Sequence, residues 1–151
     1  MNYWLFKSEP DEISIDDLQQ KDIEAWTGIR NYQARNFIRD KIKIGDQLFF
    51  YHSSCKVPAI VGSATVVSDS YIDPSAFDLN SAYVDPKSDP NKPRWYAVDI
   101  KFTQKFVKPL TLAKIKTDPK LSTMYLVEKG SRLSVQPVTT DEWQYISQLC
   151  Q

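Results

Sequence analysis

The chain has 151 residues, of which 42% are hydrophobic and 25% are charged, and its 19 basic side chains balance 19 acidic ones. This length and composition suit one globular domain with a core of its own. The formal net charge of zero excludes a protein held on nucleic acid or membrane by a global positive field, so any site for an anion must be local.

The first elements are predicted to be a strand, a helix and a turn. Residues 2–7, NYWLFK, are apolar and aromatic without a breaker, which is typical of a strand buried on both faces. Ser14 and Asp17 fit a capping box, so a helix is expected to begin directly after Ser14. The sequence WTG at 26–28 is predicted to be the turn that breaks this helix.

A second helix, two strands and a long loop are predicted next. Over residues 31–40 apolar side chains recur at spacings of three and four, which predicts a helix with one core face. Residues 46–52 and 58–67 are predicted strands, and Gly62 marks a bulge or a close approach of another backbone. Residues 68–93 are rich in Ser, Asp, Asn and Pro and are predicted to form a loop, and loops of this length are often functional.

The remaining chain is predicted to contain two more strands and two more helices. Residues 94–106 alternate between apolar and polar positions, as a half-buried strand does. Thr111 can cap a short helix. Residues 132–138 alternate again, and Pro137 suits the edge or the end of a strand. A capping box that begins at Thr139 precedes a terminal helix.

Together these elements predict one α+β domain over residues 1–151, in which short helices pack around a small mixed β-barrel of about five or six strands. The chain lacks a regular alternation of strands and helices, and it lacks the G-x-G-x-x-G motif. A dinucleotide-binding fold is therefore disfavoured.

The sequence offers little for catalysis by a metal or a nucleophile. His52 is the single histidine, and Cys55 and Cys150 are the two cysteines, so a zinc site of recognisable spacing cannot be built. His52 and Cys55 are expected to leave opposite faces of a strand end rather than form a catalytic pair. We expect no metal, no cofactor, no membrane span and no signal peptide, and reduced thiols in a cytoplasmic protein, or a nuclear one in a eukaryote.

Residues 26–40, WTGIRNYQARNFIRD, lie in the one clearly basic stretch of the chain. A flat ring in a loop, such as that of Trp26, can stack on a nucleobase, which contributes roughly 1–3 kcal/mol per base. Arg30, Asn31 and Tyr32 can contact phosphates or base edges. Two alternatives stay open: Trp26 as a plug over the core, and the arginines as a solvated helix face.

A series of motifs from Tyr3 to Trp143 resembles the EVE domain family, in which they occur in the same order and at the same spacing. The motifs are YWLFKSEPDE at 3–12, WTGIRNYQARNFIRD at 26–40, FFYHSSCK at 49–56, IVGSATVV at 60–67, YIDPSAFD at 71–78, YVDPKS at 83–88, PRWYAVDIKF at 93–102 and GSRLSVQPVT at 130–139.

The resemblance implies a PUA-like pseudobarrel, related to PUA, ASCH and YTH domains, with an aromatic-lined pocket for a modified nucleobase of DNA or RNA. The expected function is a non-catalytic reader of such a base, for example methylated or hydroxymethylated cytosine, or methyladenine. The base would be flipped out of a duplex or taken from a single strand. Two alternatives stay open: an ASCH-like hydrolase of modified nucleosides that uses Lys7 and Glu9, and a module that binds small ligands or other proteins.

The resemblance and the basic stretch together imply which side chains meet the nucleic acid. The residues expected around the base are Lys7, Ser8, Glu9, Trp26, Asn31, Tyr32, Tyr51, Ser53, Tyr83, Trp95 and Ser134. The residues expected to contact phosphates are Arg30, Arg35, Arg39 and Arg132. Since this basic patch is local, weak affinity for unmodified strands and a modest salt dependence are expected.

Overall fold

The structure is a computed structural model that describes residues 1–129 and 132–151. Its strands are β1 (Tyr3–Ser8), β2 (Ile23–Trp26), β3 (Gln47–His52), β4 (Ala59–Val66), β5 (Tyr71–Ile72), β6 (Tyr96–Thr111) and β7 (Val135–Val138). Its α-helices are α1 (Ile15–Lys21), α2 (Tyr32–Asn36), α3 (Leu112–Thr117) and α4 (Thr140–Leu149). A π-helical turn, Phe37–Lys41, continues α2, and short 3₁₀ turns cover Pro74–Phe77, Pro119–Leu121 and Tyr125–Val127.

Two residues of the predicted motif at 130–139, Gly130 and Ser131, lie outside the described residues. Within the described part, no helix has both the length and the apolar character needed to cross a membrane.

The strands form one mixed sheet in the order β2-β6-β4-β3-β1-β7, and the short β5 pairs with β6. β1 and β3 run parallel, whereas the other neighbours are antiparallel. This mixed sheet with short helices around it confirms the predicted α+β class. The end position of β7 also agrees with Pro137, because proline has no N–H to donate to a further strand.

Side chains of the central strands alternate between two hydrophobic cores. Trp4 and Phe6 of β1 pack in the first core, and Leu5 packs in the second. The parallel neighbour β3 repeats this pattern, with Phe50 in the first core and Phe49 in the second. Successive side chains of a strand point to opposite faces, so both faces of the sheet are covered here. The prediction of a first strand buried on both faces is confirmed.

The predicted helix starts are confirmed by their capping contacts. The Ser14 hydroxyl accepts a hydrogen bond from Asp17 N at 3.1 Å, and the Asp17 carboxylate accepts one from Ser14 N at 2.9 Å. Thr139 and Glu142 form the same reciprocal pair before α4. The Asn31 side chain caps α2. Each cap satisfies a backbone N–H group that has no partner inside its helix.

Gly62 lies where the pairing between β4 and β6 shifts register, between Ile60 and Gly62. A Cβ atom at Gly62 would lie 2.4 Å from the backbone oxygen of Gln104 and 2.6 Å from a side-chain carbon of Ile15. Both the predicted bulge and the predicted close approach are therefore confirmed.

The prediction that residues 26–28 form the turn that ends the first helix was wrong. α1 already ends at Lys21, and Trp26 is the last residue of β2, where it pairs with Val98 of β6. A four-residue strand is too short to show a period of two in the sequence. Its extended conformation is set by the ladder to β6, a contact between distant parts of the chain.

β6 is longer than the sequence pattern predicted, because it continues to Thr111 rather than ending at residue 106. Three exposed residues separate Phe106 from the next buried position, Leu110, so the alternation breaks there. The pairing with β4 shifts register after Lys105 and resumes at Leu110 and Thr111. The long loop also contains β5 and a 3₁₀ turn, which its many turn residues had hidden.

His52 joins β3 to the start of α1, and we predict that it makes the fold less stable in mild acid. Its Nε2 accepts a hydrogen bond from Ile15 N at 3.1 Å, which requires this nitrogen to be unprotonated. Burial lowers the pKa of His52 below its usual range. The unfolded chain therefore takes up the proton first as the pH falls, and the free energy of unfolding decreases from about pH 6.5 downward.

Urea unfolding at about pH 7.5 and about pH 5.5 would measure this decrease on either side of the unfolded histidine pKa. His52 is the only histidine of the chain, so the comparison is clean. The variant His52→Gln keeps an acceptor for Ile15 N and is expected to lose most of the decrease. The same decrease in the variant as in the wild type would contradict the prediction.

Candidate functional site

An open cavity of about 580 Å³ lies where β1 and β2 end. We call it the base cavity because seven of the eleven residues that the sequence predicts around the base line it. Lys7 and Ser8 line it from β1, residues 24–29 from β2 and the turn after it, and Tyr83 from the long loop. The volume falls within the range usual for small-ligand sites.

Backbone hydrogen bonds hold three separate chain segments around the opening of the base cavity. Lys7 N donates to Ser134 O at 2.8 Å, and Ser53 N donates to Ser8 O at 2.9 Å. The Ser8 hydroxyl donates to Ile13 O at 2.5 Å. The end of β1 therefore fixes the positions of Ser53, which follows β3, and of Ser134, which precedes β7.

Tyr83 closes one side of the base cavity by lying against Gly28. Gly28 has a φ of +82°, and a Cβ atom there would lie 2.9 Å from carbons of the Tyr83 ring. Glycine is required both for this backbone conformation and for this contact. The Tyr83 hydroxyl donates to the Glu12 carboxylate at 2.9 Å, and burial together with this bond raises the pKa of Tyr83. Both the ring and the hydroxyl of Tyr83 are thus held in place.

An ion pair between the fully buried Asp73 and the partly exposed Arg30 anchors the same loop. Asp73 is fully buried and accepts hydrogen bonds from Arg30 Nη1 at 3.0 Å and from Gly28 N at 2.9 Å. It also accepts from Ser75 N at 2.8 Å, while Arg30 donates to the Tyr83 carbonyl oxygen. Burial raises the pKa of Asp73, but the hydrogen bonds from Ser75, Gly28 and Arg30 outweigh it and hold this pKa below its usual range.

The base cavity carries charges of both signs. Glu9, Glu12 and Glu24 line it together with Lys7 and Arg132. Carboxylates accept hydrogen bonds from amino groups such as those of cytosine, and cations contact phosphates. Burial lowers the pKa of Lys7, which makes no ion pair with any residue that the structure describes. Within residues 1–129 and 132–151, no group of three or more His, Cys, Asp or Glu side chains is placed to hold a metal ion.

Eight of the fifteen predicted site residues line the base cavity. They are Lys7, Ser8, Glu9, Trp26, Ser53, Tyr83, Arg132 and Ser134. Trp26 is only 7% exposed, and its ring packs against Phe6 and Phe50 at centroid distances of 5.7 Å. Trp26 thus belongs to the first core and also lines the cavity, and its stacking on a base stays a prediction.

Four residues expected around the base lie elsewhere, which corrects the predicted grouping. Tyr32 and Trp95 stack on each other with ring centroids 4.9 Å apart, outside the base cavity. The oxygen of the Asn31 side chain caps α2. Tyr51 shares a face of β3 with Phe49 and packs in the second core, because the period of two turns this side chain away from the cavity.

Three of the four predicted phosphate contacts are already paired within the protein. Arg30 is held in the ion pair with the loop, and Arg35 donates to a backbone carbonyl oxygen at 2.6 Å. Arg39 pairs with the neighbouring Asp40 at 2.8 Å. Arg132 differs from them, because it is exposed and makes no ion pair with the described residues.

Sequence reasoning missed Glu12 and Glu24, which line the base cavity, and Asp73, which anchors the loop beside it. Asp73 lies in the predicted loop at 68–93, where it accepts a hydrogen bond from Ser75 N in the 3₁₀ turn that follows. Nothing local in the sequence indicates that it also pairs with Arg30, 43 residues earlier.

Comparison with known proteins supplies the family context. The family model described as the EVE domain matches residues 2–149. Thymocyte nuclear protein 1 of Mus musculus is 40% identical, over 98% of this chain and 73% of its own length. An uncharacterised protein of Schizosaccharomyces pombe is also 40% identical, over 97% of this chain and 67% of its own length.

Solved structures share the whole fold. A crystal structure of a Pseudomonas syringae protein matches with a TM-score of 0.95 and 49% identity, over 99% of both chains. Human THYN1 in complex with DNA that contains 5-methylcytosine matches with a TM-score of 0.92 and 37% identity, over 99% of this chain and 97% of the human one. An ASCH protein from Zymomonas mobilis, at a TM-score of 0.58 and 10% identity, shares the fold alone. The predicted PUA-like class is confirmed.

Proposed function

Because the chain belongs to the EVE domain family, we propose that it binds nucleic acid carrying a modified nucleobase and holds that base in the base cavity. The observation that carries this proposal is the likeness to human THYN1, which was crystallised with DNA containing 5-methylcytosine. We therefore take 5-methylcytosine in DNA as the first ligand, and the same base in RNA as the second.

The chemistry of the base cavity supports this class of ligand. Trp26 and Tyr83 are its aromatic lining among the described residues, and flat rings bind the faces of bases. Glu9 lines it as well and offers an acceptor, which suits the amino group of cytosine. A base reaches such a site only from a single strand or after it has left the duplex stack.

The charge distribution supports discrimination against unmodified strands. The net charge is zero, and Arg30, Arg35 and Arg39 are engaged inside the protein. These three arginines of the basic stretch are therefore less available to phosphates, and the affinity for plain strands and its dependence on salt are both expected to be small.

One observation favours a second candidate function, an ASCH-like hydrolase of modified nucleosides. Burial lowers the pKa of Lys7, which makes a neutral, basic amine more accessible, and Glu9 lines the same cavity. Formation of a product from a modified nucleoside, lost in Lys7→Ala, would support the hydrolase and count against a reader without catalysis.

The proposal is tested by binding short single strands and duplexes that carry 5-methylcytosine, 5-hydroxymethylcytosine or N6-methyladenine, beside unmodified controls. Glu9→Ala is expected to weaken binding of the preferred strand roughly ten-fold, since a lost contact to a base edge costs about 1–3 kcal/mol. Asp11→Ala removes the same charge from the same exposed turn but does not line the cavity, and it is expected to bind like the wild type. Equal affinity of the wild type for modified and unmodified strands would overturn the proposal.

A further inference from the structure

We propose that a second cavity beside the first holds the nucleotide adjacent to the modified base, so that the protein reads a dinucleotide step. This inference rests on the proposed function. The second cavity has a volume of about 480 Å³ and is lined by side chains of α2 and of the chain before β7. Arg132 lines both cavities, which places them next to each other.

The position of Arg132 suits the phosphate that links two nucleotides. Its side chain is exposed and makes no ion pair with the described residues, so its guanidinium is free to bind a phosphate through paired N–H groups. Consecutive bases of a strand are joined through one phosphate, and a cation that lines both cavities lies where that phosphate would pass. Lys129 and Glu128 also line the second cavity, so with Arg132 it carries one more positive charge than negative.

Two amide side chains equip the second cavity to contact a base edge. The oxygen of Asn31 is used by the cap of α2, where it accepts from Ala34 N at 3.0 Å, and this leaves its amino group to donate. Gln33 lies two residues further on, is exposed and makes no side-chain hydrogen bond with the described residues. Amides bind the mixed donor and acceptor edges of bases. Asn31, expected from the sequence to contact the modified base, is thereby assigned to its neighbour.

Tyr125 provides a flat surface in the same cavity. It begins a 3₁₀ turn, is 38% exposed and stacks on no other aromatic ring of the described residues. A ring without a stacking partner in a polar cavity can take a base of any identity, whereas the amides add a preference among bases. The combination of ring, amides and shared cation is typical of a site for a nucleotide rather than for an apolar ligand.

The test compares four ligands: the mononucleotide of 5-methylcytosine, a trinucleotide with 5-methylcytosine in the centre, and two versions of this trinucleotide that carry an abasic residue on one side or on the other. We expect the wild type to bind the intact trinucleotide at least about five-fold more tightly than one of the two abasic strands, the low end of what one stacked base contributes. Tyr125→Ala and Gln33→Ala are expected to weaken binding of the intact trinucleotide and to shrink this difference, without changing the affinity for the mononucleotide.

Gln19→Ala, an exposed glutamine of α1 that lines neither cavity, is the matched control for Gln33→Ala. Because Gln33 is exposed, its truncation should leave the fold intact even if Tyr125→Ala unfolds, and thermal unfolding checks this. Equal affinity of the wild type for the intact strand and both abasic strands would overturn the inference. The inference would also be overturned if Tyr125→Ala and Gln33→Ala lost the same affinity for the mononucleotide as for the trinucleotide, or if they lost affinity for neither ligand. In these cases a preference for the modified mononucleotide would leave the proposed function standing, whereas no preference for any modified ligand would remove both.

Discussion

Replacement of Asp73 by alanine is expected to lower the free energy of unfolding by about 3–5 kcal/mol, the usual cost of removing one partner from a buried ion pair. The Arg30 guanidinium would lose its carboxylate, and the backbone N–H groups of Gly28 and Ser75 would lose their acceptor. Urea unfolding at neutral pH measures the difference. Since the same contacts hold Tyr83 beside the base cavity, binding of the modified strand is expected to fall as well.

Two further variants make the Asp73 experiment specific. Asp69→Ala, an exposed residue early in the same loop, is expected to change the free energy of unfolding by no more than about 0.5 kcal/mol. Asp73→Asn keeps an oxygen acceptor without the charge and is expected to fall between Asp73→Ala and the wild type. A loss below about 1 kcal/mol in Asp73→Ala would mean that the pair behaves like an ordinary surface salt bridge.

Trp26→Ala is expected to cost about 3–5 kcal/mol of stability, as large-to-small changes of buried tryptophan do. The substitution removes the ring that packs against Phe6 and Phe50 and leaves a void between the first core and the base cavity. Trp26→Phe retains an aromatic ring and is expected to lose much less. Chemical unfolding of both variants beside the wild type tests this order.

Binding separates the two roles of Trp26. At a temperature where both variants remain folded, Trp26→Ala is expected to lose affinity for the modified strand by at least about five-fold if its ring contacts the base. Trp26→Phe is expected to retain most of that affinity. A stability loss without any change in affinity would show that Trp26 acts only through the core, and that Tyr83 is the aromatic contact of the base.

Asp73 and Trp26 illustrate how the site depends on the fold. Core residues pack against Trp26 on one side of the base cavity. Contacts of Asp73, Arg30 and Gly28 hold Tyr83 on the other side. The base cavity thus lies between a packed sheet and a loop that is tied down by the ion pair of Asp73 and Arg30. Such support holds a binding site in one geometry before its ligand arrives, which reduces the ordering cost of binding.

Much of the local structure could be predicted because its causes are local. The capping box at Ser14 and the helix start at Thr139 each depend on side chains within a few residues. β1 was predicted because four apolar and aromatic residues in a row, Tyr3 to Phe6, fit few other structures. The family motifs carried this further, since they brought residues from both ends of the chain to the end of β1.

The stacked pair of Tyr32 and Trp95 shows where prediction stopped. Each was expected beside the base because aromatic residues near a predicted pocket suit a cage, but the two rings stack on each other instead. Arg30 and Arg35 were expected to meet phosphates and bind loop oxygens instead. The residue type sets which groups a side chain can bind, whereas its neighbours in the folded protein decide which of them it binds.

The amino-acid sequence alone determined the caps, the apolar runs and the family to which this chain belongs, because each depends on neighbouring residues or on motifs that occur in a set order. The tertiary structure alone decided that Trp26 ends a strand, that Asp73 pairs with Arg30 and that Arg132 stands between two cavities. These contacts join segments that are far apart in the chain, so they exist only once the sheet has paired and the cores have packed.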